Sequence, residues 1–131
     1  MILIDTNVLV AYYNERDALH KNAVQVMEKI DTGTFGPALI SDYIFDETVT
    51  VCSARAGRKG AIELGNALLQ SFHVVRVTES LFRAAWWLFK GSTCLSFTDC
   101  TNIALVKELE IEHLATFDKD FKKAKVNVVC E

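Results

Sequence analysis

Four acids, Asp5, Glu47, Asp99 and Asp118, are the residues of this chain whose types and spacing could do chemistry. Asp5 directly follows the apolar run ILI, and Asp118 follows HLATF with Phe117 between it and Thr116. If both runs are strands of one parallel sheet, both acids stand at carboxyl ends, where such sheets bind ligands. Glu47 shares a helical face with Tyr43, Ile44 and Val51, and Asp99 shares one with Ile103 and Val106, so each points toward apolar neighbours. A carboxylate placed that way needs a cation, a hydrogen-bond network or a wet cleft beside it. Each acid also has a simpler account. Asp5 and Asp118 read as helix N-caps, Asp99 as a first-turn acid favoured by the helix dipole, and Glu47 as the edge of a slightly rotated helix. Those accounts leave unexplained why all four fall on elements whose ends converge.

Carboxylates at close quarters repel unless they share protons or bind a cation. Oxygen-only ligands select hard ions, so Mg²⁺ or Mn²⁺ is the expected occupant. An ion held this way can polarise a phosphodiester and activate a water, which is nuclease chemistry. His20, His73 and His113 are scattered and read as structural or surface residues. Cys52, Cys94, Cys100 and Cys130 form no C-x-x-C pair and no zinc spacing, so free thiols, buried or partly buried, are expected. Cys100 is the one that adjoins an acid.

The elements that must position these acids follow from the chain pattern. With 131 residues, half of them apolar, the sequence can bury one core and is read as a single domain over 1–131. Fourteen basic residues against 17 acids give a formal charge of −3, with no polybasic block to name a partner. There is no signal-peptide pattern and no membrane span, which points to the cytoplasm. ILI is a short buried strand. Residues 17–31 set Leu19, Ala23, Val26 and Ile30 on one helical face, and a second strand lies near Ala38 to Ile40. Ser41 is the expected cap of a helix to about Ala56. A basic turn with Gly57 and Gly60 then precedes a helix carrying Ile62, Leu64, Leu68 and Leu69.

HVVRV makes a third strand, and Thr78 opens a helix on which Phe82, Trp86 and Phe89 form an apolar stripe, read as core, with Trp87 partly off that face, suited either to a dimer interface or to a partly covered place on the surface. Ser96 or Thr98 caps the next helix, HLATF is a fourth strand, a short helix follows, and VNVV closes the sheet. Such β-α-β alternation gives an α/β fold with a doubly wound parallel sheet.

Four segments, ILIDTNVLVAYY, LISDYIFDETV, LSFTDCTNIAL and HLATFDKDF, resemble in order and spacing the PIN-domain ribonucleases, and specifically the VapC-type toxins of toxin–antitoxin pairs. The D-T-N start and the T-x-D-x-x-F near the end carry most of that likeness. The resemblance implies a PIN-like three-layer α/β/α sandwich with a five-stranded parallel sheet, the first strand central and the fourth beside it. It implies Asp5, Glu47, Asp99 and Asp118 as catalytic and metal-binding acids, with Thr6, Asn7 and Thr116 as supporting polar neighbours and Asp120 as an accessory acid. Endonucleolytic hydrolysis of RNA, a homodimer and, for the toxin branch, an antitoxin partner are further implications. Cys100 departs mildly from the pattern, standing where a small Ala is common.

Two basic groups are candidates either to handle RNA phosphates or to form plain solvated surface: Arg55, Arg58 and Lys59 in the turn between helices, and Lys119, Lys122 and Lys123 beyond Asp118. Three rival readings remain. A PIN nuclease of cellular RNA processing or decay would lack the neighbouring antitoxin gene. A catalytically inactive PIN-like scaffold would be expected to lose acids that are all present here. A receiver-like Mg²⁺-binding domain would want a phospho-accepting Asp after the third strand, where this chain has Thr78 and Glu79.

Overall fold

The computed structural model describes residues 1–123 and 125–131, residues 122 and 123 by their backbone alone. Five short strands, β1 (Ile2–Ile4), β2 (Ala38–Ser41), β3 (His73–Val75), β4 (His113–Ala115) and β5 (Asn127–Val129), form one sheet in the order β3-β2-β1-β4-β5. Every pairing is parallel, and Ile2 faces Ala38 on one side and His113 on the other. The first strand is therefore central and the fourth lies beside it, as expected. Ile2, Leu3 and Ile4 are all fully buried. Because successive strand residues point to opposite faces, both faces of β1 must be covered, as in a helix-sheet-helix sandwich. The chain winds outward from β1 to β3 and then returns to the other side of β1, so the winding reverses between β1 and β4.

Among the described residues, five helices connect the strands: α1 (Thr6–Tyr13), α2 (His20–Asp31), α3 (Asp42–Ser71), α4 (Glu79–Gly91) and α5 (Phe97–Glu108), with a 3-10 turn at Lys119–Lys123. The sequence marks α1 only by its Asp5 cap, because TNVLVAYY is rich in β-branched and aromatic residues and lacks a clear helical stripe. The Ser41 and Thr78 caps form as expected, their hydroxyls accepting from the Ile44 and Leu81 amides at 3.0 and 3.3 Å. Two expectations change. Leu19 is exposed at the start of α2 rather than buried on its face. The break expected after Ala56 is present but narrower than a turn from Gly57 to Gly60: two helical stretches of α3 meet at Gly57, whose φ of 81° and ψ of 173° suit glycine alone, and residues 58–60 are already helical. Arg55, Arg58 and Lys59 thus flank the kink at which the two helical stretches meet.

The largest correction concerns α4. Phe82, Trp86 and Phe89 are not core residues; they are exposed, as is Trp87 at 72 %. The face that packs inward carries Leu81 and Ala85, both buried, and half-buried Leu88, one position back along the same i, i+4, i+7 spacing. The outward stripe gathers around Phe97 at the start of α5. Phe82, Trp86 and Phe89 lie 5.2, 6.3 and 6.1 Å from its ring, and Trp86 stacks on Phe89 at 5.7 Å. Among the described residues, no helix is long and apolar enough to cross a membrane.

Candidate active site

Asp5 is the N-cap of α1 at the end of β1, and its amide donates to the Ala115 carbonyl of β4, fixing it at the winding reversal. Asp5 is 3 % exposed, and its carboxylate accepts four hydrogen bonds. Oδ1 takes the Thr6 amide at 2.8 Å and Asn102 Nδ2 at 3.2 Å, and Oδ2 takes Asn7 Nδ2 at 2.9 Å and Thr116 Oγ1 at 2.7 Å. These donors favour the charged form, yet burial outweighs them, and the neighbouring Asp99 and Glu47 charges add to it. The carboxyl is pushed up to about 6. No cation pairs with it among the described residues.

The other acids are held less completely. Glu47 Oε2 accepts from Thr6 Oγ1 at 2.6 Å. Asp99 Oδ2 accepts the Ser96 amide at 2.7 Å while Ser96 Oγ accepts the Asp99 amide, a reciprocal cap at the start of α5. Burial, together with Asp118 and Asp120, raises the Asp99 carboxyl above its ordinary value despite those two bonds. Asp118 Oδ1 accepts the Asp120 amide at 2.8 Å, and its own amide donates to Thr116 Oγ1. Glu47, Asp99 and Asp118 each keep one carboxylate oxygen with no hydrogen-bond donor among the described residues.

Asp5, Thr6, Asn7, Glu47 and Asp99 line one cleft together with Asp17 and Arg55. Asp118 does not line it but lies near enough to Asp99 to act on its charge. Sequence reading overlooked Asp17, which sits in the loop before α2 with its Oδ1 accepting the Leu19 amide, a position that no periodicity marks. It also overlooked Asn102. One turn past Asp99 and fully buried, Asn102 donates to Asp5 while its Oδ1 has no partner among the described residues. A buried amide on an otherwise apolar helical face was the available signal. Of the basic candidates, Arg55 lines the cleft, Arg58 lies in a different groove with Phe45 and Ile62, and Lys59 and Lys119 are exposed. The Lys122 and Lys123 side chains lie outside the described residues.

The histidines stay apart: His20 Nδ1 meets the Ala11 carbonyl at 2.8 Å, His113 packs on Phe35, and His73 is exposed. All four thiols are free; Cys100 is buried and Cys52 partly so, but Cys94 and Cys130 are exposed, contrary to expectation. Burial and the Asp99 charge raise the Cys100 thiol above its ordinary range.

A divalent cation fits this donor set in charge and chemistry. The groups are all oxygen, three carboxylates have an oxygen to give, and burial together with like charges raises Asp5 and Asp99, neither of which has an ion-pair partner among the described residues. As they stand, no three acidic, thiol or imidazole groups among the described residues are close enough to hold one ion directly. Ligation would require waters or small side-chain movements.

The family pattern described as PIN domain matches residues 2–127. A VapC ribonuclease from Archaeoglobus fulgidus is 27 % identical over 126 residues, covering 91 % of this chain and 78 % of that protein. Among solved structures, Mycobacterium tuberculosis VapC20, described as a sarcin-ricin loop cleaving toxin, superposes with a TM-score of 0.84 at 27 % identity, covering 96 % of each chain. A toxin–antitoxin complex from Klebsiella pneumoniae contains a chain of the same fold, with a TM-score of 0.72, 21 % identity and coverage of 98 % of this chain and 96 % of that one.

Proposed function

The chain belongs to the PIN-domain family, and from that premise we propose that it is a metal-dependent endoribonuclease, the VapC-type toxin of a toxin–antitoxin pair. The observation that carries the chemistry is Asp5: a nearly buried carboxylate at the sheet's winding reversal, facing Glu47 and Asp99 across a cleft with no cation paired to it. The likeness to the Archaeoglobus ribonuclease and to the sarcin-ricin loop cleaving Mycobacterium toxin supports RNA as substrate. An antitoxin and a second copy of the chain are the protein partners this reading includes.

Glu47, Asp99 and Asp118 would hold Mg²⁺ or Mn²⁺ through their uncommitted oxygens, with Asp5 as the fixed negative centre behind them. Bound there, the ion supplies polarisation of the phosphodiester and lowers the cost of deprotonating an attacking water. The chain's own residues supply position. Thr6 ties Glu47 to the start of α1, and Asn7 joins Asp5 to Thr116 and to the Phe117 amide, locking α1 to the segment after β4. Ser96 fixes the Asp99 rotamer.

RNA cleavage measured with Mn²⁺, with excess chelator, and with the Asp5→Asn and Asp99→Asn variants tests the proposal. Cleavage by wild type with Mn²⁺ alone, and loss of at least about 100-fold in either variant, is the expected result. Undiminished cleavage in chelator, or by Asp99→Asn, contradicts it.

A further inference from the structure

A second cavity, of about 230 Å³, opens beside the acid cleft between α1 and α3, walled by Val10, Tyr13, Val51, Cys52 and Leu64. It shares Val10, Val51 and Arg55 with the cleft, so the two lie side by side. Resting on the ribonuclease reading above, we propose that this cavity is a nucleobase slot for a nucleotide flanking the scissile phosphate, with Arg55 on that nucleotide's phosphate.

Size, polarity and charge each point to that occupant. The volume falls below the roughly 300–1,000 Å³ of pockets for drug-sized ligands, which suits one ring system rather than a whole nucleotide. Tyr13 is 42 % exposed in the slot wall, and its ring is held edge-on against Tyr12 with centroids 5.0 Å apart. A fixed aromatic ring of this kind is a stacking partner for a base. Asn14 Oδ1 is taken by the Arg16 amide, which leaves Nδ2 free to donate to a base edge. Arg55 makes no ion pair among the described residues although acids line the same cleft. It stands two turns beyond Glu47 on the same face of α3, about 12 Å along the axis. An extended strand whose phosphate sits at the acids would bring a phosphate one or two nucleotides along within reach of the long Arg55 side chain. A cleft lined by Asp5, Asp17, Glu47 and Asp99 repels a polyanion, and Arg55 is the cation positioned to offset this.

The test uses the full chain in excess chelator, so that binding is read without cleavage. Wild type, Arg55→Gln and Ala56→Trp are titrated with a short single-stranded RNA; residue 56 lines the slot from its exposed side, so the indole fills the cavity without entering the core. Both variants should weaken binding about 10-fold. Arg55→Gln alone should lower the slope of log affinity against log salt by about 1. In a wild-type background with Cys94 and Cys130 changed to Ser, the same RNA should slow alkylation of Cys52. Wild type that binds and cleaves RNA while both variants bind equally well, with Cys52 alkylated at an unchanged rate, overturns the slot alone. That result would leave the cavity to another occupant, such as a peptide segment. Wild type that neither binds nor cleaves RNA overturns the slot and the ribonuclease reading together.

Discussion

At the scale of single residues, Asp5 is a charge that the fold holds against its preference. Its carboxyl, raised from 3.8 to about 6 chiefly by burial, takes up a proton on folding as pH falls. The metal-free protein should therefore gain stability as pH drops from about 6 toward 4, and above 6 the cost of the buried charge is fully present. Two units correspond to on the order of 3 kcal/mol. Asp5→Asn should accordingly raise the melting temperature in chelator at pH 7.5 and flatten its dependence between pH 4 and 6. A variant that melts lower, with the wild-type pH profile, would show that the four hydrogen bonds outweigh the burial. The same strain predicts a response to metal. Millimolar Mn²⁺ should raise the wild-type melting temperature by mass action and leave Asp99→Asn nearly unmoved. Equal shifts in both would place the ion elsewhere.

At the scale of elements, the chain states its architecture where one residue has one role. The Ser41 and Thr78 caps and the apolar run Ile2–Ile4 were legible because a hydroxyl before an apolar stripe, or a short unbroken apolar run, has few alternatives. Of the site, the acids at strand ends and first turns were legible from their offsets. Asn102 and Asp17 were not, since a buried amide and a loop acid acquire meaning only when distant segments meet. The α4 stripe was misread for a different reason. Leu81-Ala85-Leu88 and Phe82-Trp86-Phe89 obey one spacing a single residue apart, and the bulkier set looked like core. Ala85 is fully buried on the inward face, while the aromatics remain outside. The α3 kink offers a test at this scale. Gly57 has open space around the position of a Cβ, so Gly57→Ala should be destabilising through backbone conformation alone, by about 1–3 kcal/mol in denaturant unfolding. An unchanged midpoint would mean that the kink relaxes at no cost.

At the scale of the whole molecule, the exposed strip of Phe82, Trp86, Trp87 and Phe89 is the surface on which the proposed second copy would sit. Exposed aromatic strips of this kind mark interaction sites. Glu79 and Lys90 stand at opposite ends of the groove beside it, so two antiparallel copies of α4 would set each acid against the other copy's lysine. Trp87→Ser should shift the chain from dimer to monomer in sedimentation velocity at micromolar concentration, whereas an unchanged dimer would move the interface off this face. The central claim is that the acid cluster directs hydrolysis by water rather than attack by the ribose, since no pair of histidines is placed for general acid–base work. Analysis of the product ends tests it most directly, using an RNA with a single 2′-deoxy nucleotide at the scissile position. The account predicts cleavage at the deoxy site as well as at its ribose counterpart, leaving a 5′-phosphate and a 3′-hydroxyl. A 2′,3′-cyclic phosphate, with no cleavage at the deoxy site, would contradict it.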